Sequence, residues 1–181
     1  MTEKSVLLHI CCAPCGTIPI KRLLSEYSVS CFFYNPNIYP ESEYFFRKKE
    51  FEDYLSELGI PFYSGTYDND AWEESVKTFK DEPEGGARCW ICYRFRLRET
   101  AAVAKKRGIS FFSTTLTLSP HKNAELINKI GIEIESETGV KFLERNFKKS
   151  DGFKESCQMS SERNMYRQNY CGCRYSLRCS R

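Results

Sequence analysis

The sequence is poor in histidine: His9 and His121 are the only two in 181 residues. A histidine-rich metal site is therefore excluded. No apolar run approaches the roughly 20 residues that a membrane-spanning helix needs. Only about six apolar residues follow the lysine in MTEKSVLLHI, too few for the core of a secretory signal. These absences make a cytoplasmic location and no membrane partner the expectation. Repeats, low-complexity tracts and linkers are missing too. No glycine-rich phosphate loop follows the first apolar run; CCAPCGT stands in its place. Pyrophosphate binding, and hence ATP as a cofactor, is not expected. Hydrophobic residues make up 41% and charged residues 28%, the balance of an ordinary soluble domain. The length suits one core. Residues 1–181 therefore read as a single domain, with 141–181 as a basic C-terminal extension packed on it.

What is present is alternation of strand and helix signals. SVLLHI at 5–10 and VSCFFY at 29–34 are short apolar runs fit for buried strands, as are 60–64 and 109–115. Helical spacing is found at 17–27, 41–58, from Asp70 to about 79, 89–107 and 121–130, with Gly59 and Gly108 as stops. A short strand is expected at 140–143. The last forty residues have weak periodicity. This pattern predicts an α/β fold: a doubly wound, mostly parallel sheet with helices on both faces. In such sheets ligands bind at the carboxyl ends of the strands.

Ten cysteines are the anomaly. In a reducing compartment they point to metal or redox chemistry rather than to structural disulfides. Cys11, Cys12 and Cys15 lie where the first strand meets the first helix, and amides at a helix start favour thiolate over thiol. Cys89 and Cys92 form a CxxC at the start of another helix, a spacing that serves zinc, an iron–sulfur cluster or a redox pair. Cys171 and Cys173 can chelate one metal or close a disulfide. Cys31 reads as a buried inert thiol; Cys157 and Cys179 have no close partner. Seven thiols overfill one four-thiolate site. The simplest partition gives Cys11, Cys12, Cys89 and Cys92 to a cluster. Cys15, Cys171 and Cys173 are left for a second metal or a redox dithiol, and Cys12 and Cys15 are exchangeable.

Other polar residues are expected at the same rim. Thr115, Ser119, Lys122 and Asn123 follow the fourth strand and suit a phosphate or sugar; Ser119 equally suits a helix cap. Asp68 is a candidate oxygen ligand or proton donor, or a helix-entry cap. Tyr34 and Asn35 end the second strand. His9 reads as a core group. Residues 88–107 carry seven basic side chains against one acidic, and 141–181 carry ten against four. Two basic blocks suit RNA, or are solvated faces. Arg94 and Arg96 are the candidate contacts in the first block. Tyr34, Tyr93 and Tyr175 are candidate platforms for a splayed base.

The chain resembles the epoxyqueuosine reductases of the QueH type. The resemblance is carried by LHICCAPC at 8–15, FFYNPNIYP at 32–40, RCWICYRFRL at 88–97, STTLTLSPHKN at 113–123 and YCGCRYS at 170–176. It implies a fold like the adenine-nucleotide alpha-hydrolase (HUP) group. It also implies an oxidoreductase that turns epoxyqueuosine into queuosine, in tRNA with a GUN anticodon. The implied cofactors are a 4Fe-4S cluster and a second mononuclear iron, without cobalamin, and an electron donor is required. Two other functions are consistent with parts of the pattern. A zinc-dependent RNA-binding module would use Cys89, Cys92, Cys171 and Cys173 but leaves CCAPC unexplained. An ATP-using tRNA thiolase or ligase would carry a Ser-Gly-Gly type loop where CCAPCGT stands.

Overall fold

A computed structural model describes residues 4–179 of the chain. Five strands form one sheet: β1 (Ser5–Ile10), β2 (Ser28–Phe33), β3 (Phe62–Ser64), β4 (Phe111–Thr114) and β5 (Lys141–Phe142). Their order is β3-β2-β1-β4-β5, and all four pairings among the described residues are parallel. Six helices connect and flank them: α1 (Ala13–Leu23), α2 (Glu41–Leu58), α3 (Asn69–Val76), α4 (Ala87–Lys106), α5 (Ala124–Thr138) and α6 (Gly152–Glu162). None is long and apolar enough to cross a membrane.

The central strand explains the two-sided cover. Side chains alternate along a strand, and β1 is buried from Val6 to Ile10. Val6, Leu8 and Ile10 pack with Ile20 and Leu23 of α1 and Phe51, Tyr54 and Leu55 of α2. Leu7 packs on the other face with Phe32, Phe112, Leu97 of α4 and Ile127 and Ile130 of α5. Each such side chain contributes about 1.5–3 kcal/mol when fully buried. This is the expected doubly wound α/β class. The chain reverses winding direction between β1 and β4, so their carboxyl ends frame a crevice.

The departures from the sequence pattern have local causes. Helix α1 begins four residues earlier than its spacing suggests, because Pro14 suits a first helical turn. Cys12 thereby becomes its N-cap and Cys15 falls inside its first turn. Helix α5 runs to Thr138 rather than stopping near Ile130. Gly131 lies inside it because Phe142 crosses there; a Cβ at that glycine would sit 2.4 Å from the ring. The helix ends instead at Gly139, with φ 76°. Asp68, not Asp70, caps α3, accepting from the Ala71 amide at 2.9 Å.

Helix α6 has no counterpart in the sequence pattern. Its buried face is built from small and polar residues, Gly152, Ser156 and Ser160, which carry no apolar period. It packs on α1, where the Ser156 hydroxyl donates to the Pro14 carbonyl at 2.6 Å. A Cβ on Gly152 would lie 1.9 Å from the Phe147 carbonyl oxygen, and that backbone cannot yield as a side chain would. Gly152→Ala is expected to cost about 1–3 kcal/mol. Thermal unfolding checks this as a drop of roughly 2–4 °C per kcal/mol.

Candidate active site

Cys11 leaves β1 at the crevice and faces the residue that leaves β4. Its sulfur is 3.7 Å from Thr115 Oγ1 and 3.9 Å from the Cys12 sulfur. The sulfurs of Cys11, Cys12 and Cys15 all lie within 4.8 Å of one another. Those of Cys12 and Cys15 are joined as a disulfide, while Cys11, Cys89, Cys92, Cys171 and Cys173 are free. The Pro14 carbonyl between them is held twice, by Ser156 and by Thr17. Helix α6 therefore fixes the loop that presents these three cysteines.

The first turn of α4 presents the CxxC. The Gly85 amide donates to Cys89 Sγ at 3.2 Å. Burial pushes the Cys89 thiol up, and the charges of Cys171 and Cys173 add to that. Burial raises Cys92 to about 11, again with Cys171 and Cys173 contributing. Burial and then the Cys171 charge raise Cys173 as well. Cys92 and Cys173 pack together with Trp72 and Val76. The CxxC and the Cys-Gly-Cys segment are thus electrostatic neighbours. Cys11 packs against the core that contains Cys89, so all three thiol segments meet at the carboxyl end of the sheet.

The Cys-Gly-Cys segment is pinned from α2 and the loop before it. The Tyr39 amide donates to the Gly172 carbonyl at 2.8 Å, and Arg47 to the Cys171 carbonyl at 3.5 Å. Gly172 has φ 126°, where a side chain is strained, and Ile38 and Asn37 lie tight above it. Beside these thiols lies a cavity of about 420 Å³ whose walls include Cys11, Cys15 and Cys171. Arg96, Thr115, Ser119 and Lys122 also line it; the last three were expected at this rim, whereas Arg96 was expected in an RNA-facing block. Cys12, Cys89, Cys92 and Cys173 are buried behind it.

A polar network underlies the site. Asn35, fully buried, donates to the Ile10 carbonyl at 2.8 Å and accepts from Arg96. His9 lies 3.1 Å from the Tyr34 carbonyl through Nε2 and 2.9 Å from Thr114 Oγ1 through Nδ1. A carbonyl only accepts, so Nε2 carries the proton and Nδ1 accepts from the threonine. Burial, then the charge of Arg96, holds its pKa well below the usual value. His9 is therefore a neutral core group, as expected. Cys31 is buried and its thiol pushed far up. The side chain of Cys179 lies outside the description.

Several expected site residues sit elsewhere. Asp68 does not line the thiol cavity. It caps α3 and borders a separate pocket with Tyr39, Tyr67 and Arg174. Asn123 caps α5 through the Leu126 amide; Ser119 stays at the cavity wall and accepts from the His121 amide at 3.3 Å. The first basic block divides: Arg98, Lys105, Lys106 and Arg107 are exposed, while the other three are engaged inside the fold. Arg88 is buried and donates to the Lys80 carbonyl. Arg96 is 1% exposed. Arg94 pairs with Glu133 and Glu137 of α5, and Arg107 stacks on Tyr63. Arg94→Ala should therefore cost no more than about 1 kcal/mol and leave tRNA affinity within about twofold; a filter-binding titration over salt checks this.

The three tyrosines expected as base platforms are engaged as well. Tyr34 stacks with Phe32 and Phe95, Tyr93 is buried, and Tyr175 donates to Glu73 beneath Arg88. Two aromatic rings that do reach the cavity are Phe153 and Tyr170, with Gln168 beside them. They come from the weakly periodic last forty residues, and only YCGC gave any signal there.

A family model described as epoxyqueuosine reductase QueH matches residues 6–179. The Thermotoga maritima epoxyqueuosine reductase QueH is 42% identical over 176 residues, covering 96% of this chain and 90% of that one. The Streptococcus pyogenes protein of the same description is 37% identical over 180 residues, covering 96% and 71%. A predicted subunit of tRNA methyltransferase from Methanocaldococcus jannaschii shares the fold at a TM-score of 0.54, with 13% identity over 87% of this chain and 75% of that one. The match spans the CCAPC loop, the CxxC, the Cys-Gly-Cys segment and the cavity between them, and the chain belongs to the epoxyqueuosine reductase QueH family.

Proposed function

We propose that this chain is an oxidoreductase that removes the epoxide oxygen of epoxyqueuosine in tRNA, using iron held by its thiols. The observation that carries the reading is the gathering of seven cysteines from three distant segments beside one cavity. The donor set fits an iron–sulfur group. Buried thiols that raise one another's pKa are poor company until a cation displaces their protons. Cys11, Cys12, Cys89 and Cys92 are assigned to a 4Fe-4S cluster. Cys12, Cys89 and Cys92 are buried and Cys11 borders them. Cys12 serves only with its bond to Cys15 reduced. Cys15 and Cys171 face the cavity and remain for substrate chemistry or a second iron. When bound, such a cluster supplies electrons one at a time.

The reaction converts an epoxide to an alkene and water, and consumes two electrons and two protons. Oxidation of two thiols to one disulfide releases the same number of each. Cys171 and Cys173 are both free, and Cys171 has access to the cavity. The departing oxygen needs a proton donor within reach. Burial, then the charges of Cys171, Cys89 and Cys92, keeps the Tyr93 phenol protonated. Burial alone would lower Lys122, but the charges of Cys171 and Cys11 raise it. Lys122 stays an ammonium at the cavity wall. Arg167, Asn169 and Tyr170 form the outer wall, suited to the polar cyclopentane ring and its flanking phosphates. The remaining partners are a GUN-anticodon tRNA and a separate electron donor.

The direct test is an anaerobic assay on epoxyqueuosine-containing tRNA with a chemical reductant. Nucleoside mass spectrometry should show loss of one oxygen without added ATP or cobalamin. An unchanged nucleoside, with iron fully loaded, would contradict the reading.

A further inference from the structure

The first basic block holds two arginines that neither surface nor salt bridge explains: Arg88, which donates to the Lys80 and Glu82 carbonyls, and Arg96, which sits at the thiol site. Arg96 is 1% exposed, and a fully buried cation without a carboxylate partner is costly. Its hydrogen bonds go to Asn35 Oδ1 and, at 3.9 Å, to Cys92 Sγ. Its Nε is buried with no partner. Asn35 in turn grips the Ile10 carbonyl, one residue before Cys11. The guanidinium therefore links the CxxC helix to the end of β1, and it borders the cavity shared by Cys11, Cys15 and Cys171. Among the described residues no carboxylate pairs with it, and its sulfur contact is Cys92.

We infer that Arg96 is the positioning residue of the thiol site: clamped by Asn35, it fixes Cys92 and supplies the fixed positive charge against which a thiolate-bound iron–sulfur group is held and reduced. The inference rests on the function proposed above. Thiolates and sulfides give such a group net negative charge, and each added electron makes it more negative. A nearby permanent cation favours the reduced form, and net charge and hydrogen bonds to sulfur are among the levers that set a cluster's potential. Lysine keeps the charge but loses the planar fork that reaches Asn35 and Cys92 together.

The test compares wild type, Arg96→Gln and Arg96→Lys, all loaded without oxygen. The readouts are the midpoint potential from a spectroscopic redox titration and the rate of iron loss to a chelator. Arg96→Gln should have a more negative potential and shed iron about 10–100-fold faster. Arg96→Lys should recover most of the potential and only part of the retention. If Arg96→Gln does not load, a loaded Arg96→Lys still supports the role of charge. An unshifted potential in loaded Arg96→Gln overturns the inference, as does failure of both variants to load, since shape rather than charge would then be decisive. A wild-type protein that binds no iron–sulfur group would instead overturn the underlying functional reading.

Discussion

Cys89→Ala protein, prepared without oxygen, is expected to be colourless, to lack acid-labile sulfide and to turn over epoxyqueuosine more than about 100-fold more slowly than wild type. Loss of a supporting group already costs about 10–100-fold in metal affinity or activity, and loss of a ligand costs more. The structure gives reasons to expect no rescue. Cys89 lies in the first turn of α4 with the Gly85 amide on its sulfur, a position no other cysteine shares. The fold itself should survive, because Cys89 contributes a small side chain at the edge of a core built by Leu97, Phe112, Ile127 and Ile130. Circular dichroism and a thermal midpoint near that of wild type would separate loss of the site from loss of the fold. Retention of full colour and sulfide would remove Cys89 from the ligand set.

The second large effect is expected at Cys171→Ser. This protein should keep most of its colour and lose turnover by more than about 100-fold. Cys171 is half-buried and borders the cavity beside Cys11 and Cys15, whereas Cys12, Cys89 and Cys92 sit behind it. A serine hydroxyl preserves the volume and the backbone contact to Arg47. It cannot form a disulfide and is a poor ligand for iron. Iron content and turnover are measured on the same preparation. Full activity would remove Cys171 from the chemistry, and complete loss of iron would move it into the cluster ligand set.

The sheet, the order of its flanking helices and the meeting place of the thiols were legible because they depend on strong local signals. Buried strands are short apolar runs, and Gly59 and Gly108 follow helix ends in the left-handed conformation. Parallel topology then forces residues that follow β1 and β4 to one edge. What escaped was set by tertiary packing. Helix α6 buries serines and a glycine, so no hydrophobic period marks it. Phe153 and Tyr170 reach the cavity from that unmarked region. Charge was the most misleading signal: Arg88, Arg94 and Arg96 look like a basic RNA-facing stripe in the sequence. Folding puts one under Tyr175, one against the acidic face of α5 and one among the sulfurs. Asp68 is likewise a cap rather than a wall of the thiol cavity, a choice that composition alone does not make.

The central claim is that these thiols hold iron and sulfide rather than a structural metal. The four thiols of the CxxC and Cys-Gly-Cys segments would also suit a closed zinc site, which makes the CCAPC loop idle. Metal and acid-labile sulfide analysis of wild-type protein purified without oxygen decides between them most directly. The account predicts a brown protein with iron and sulfide in near-equal amounts and little zinc. A colourless protein with one zinc per chain and no sulfide would contradict it.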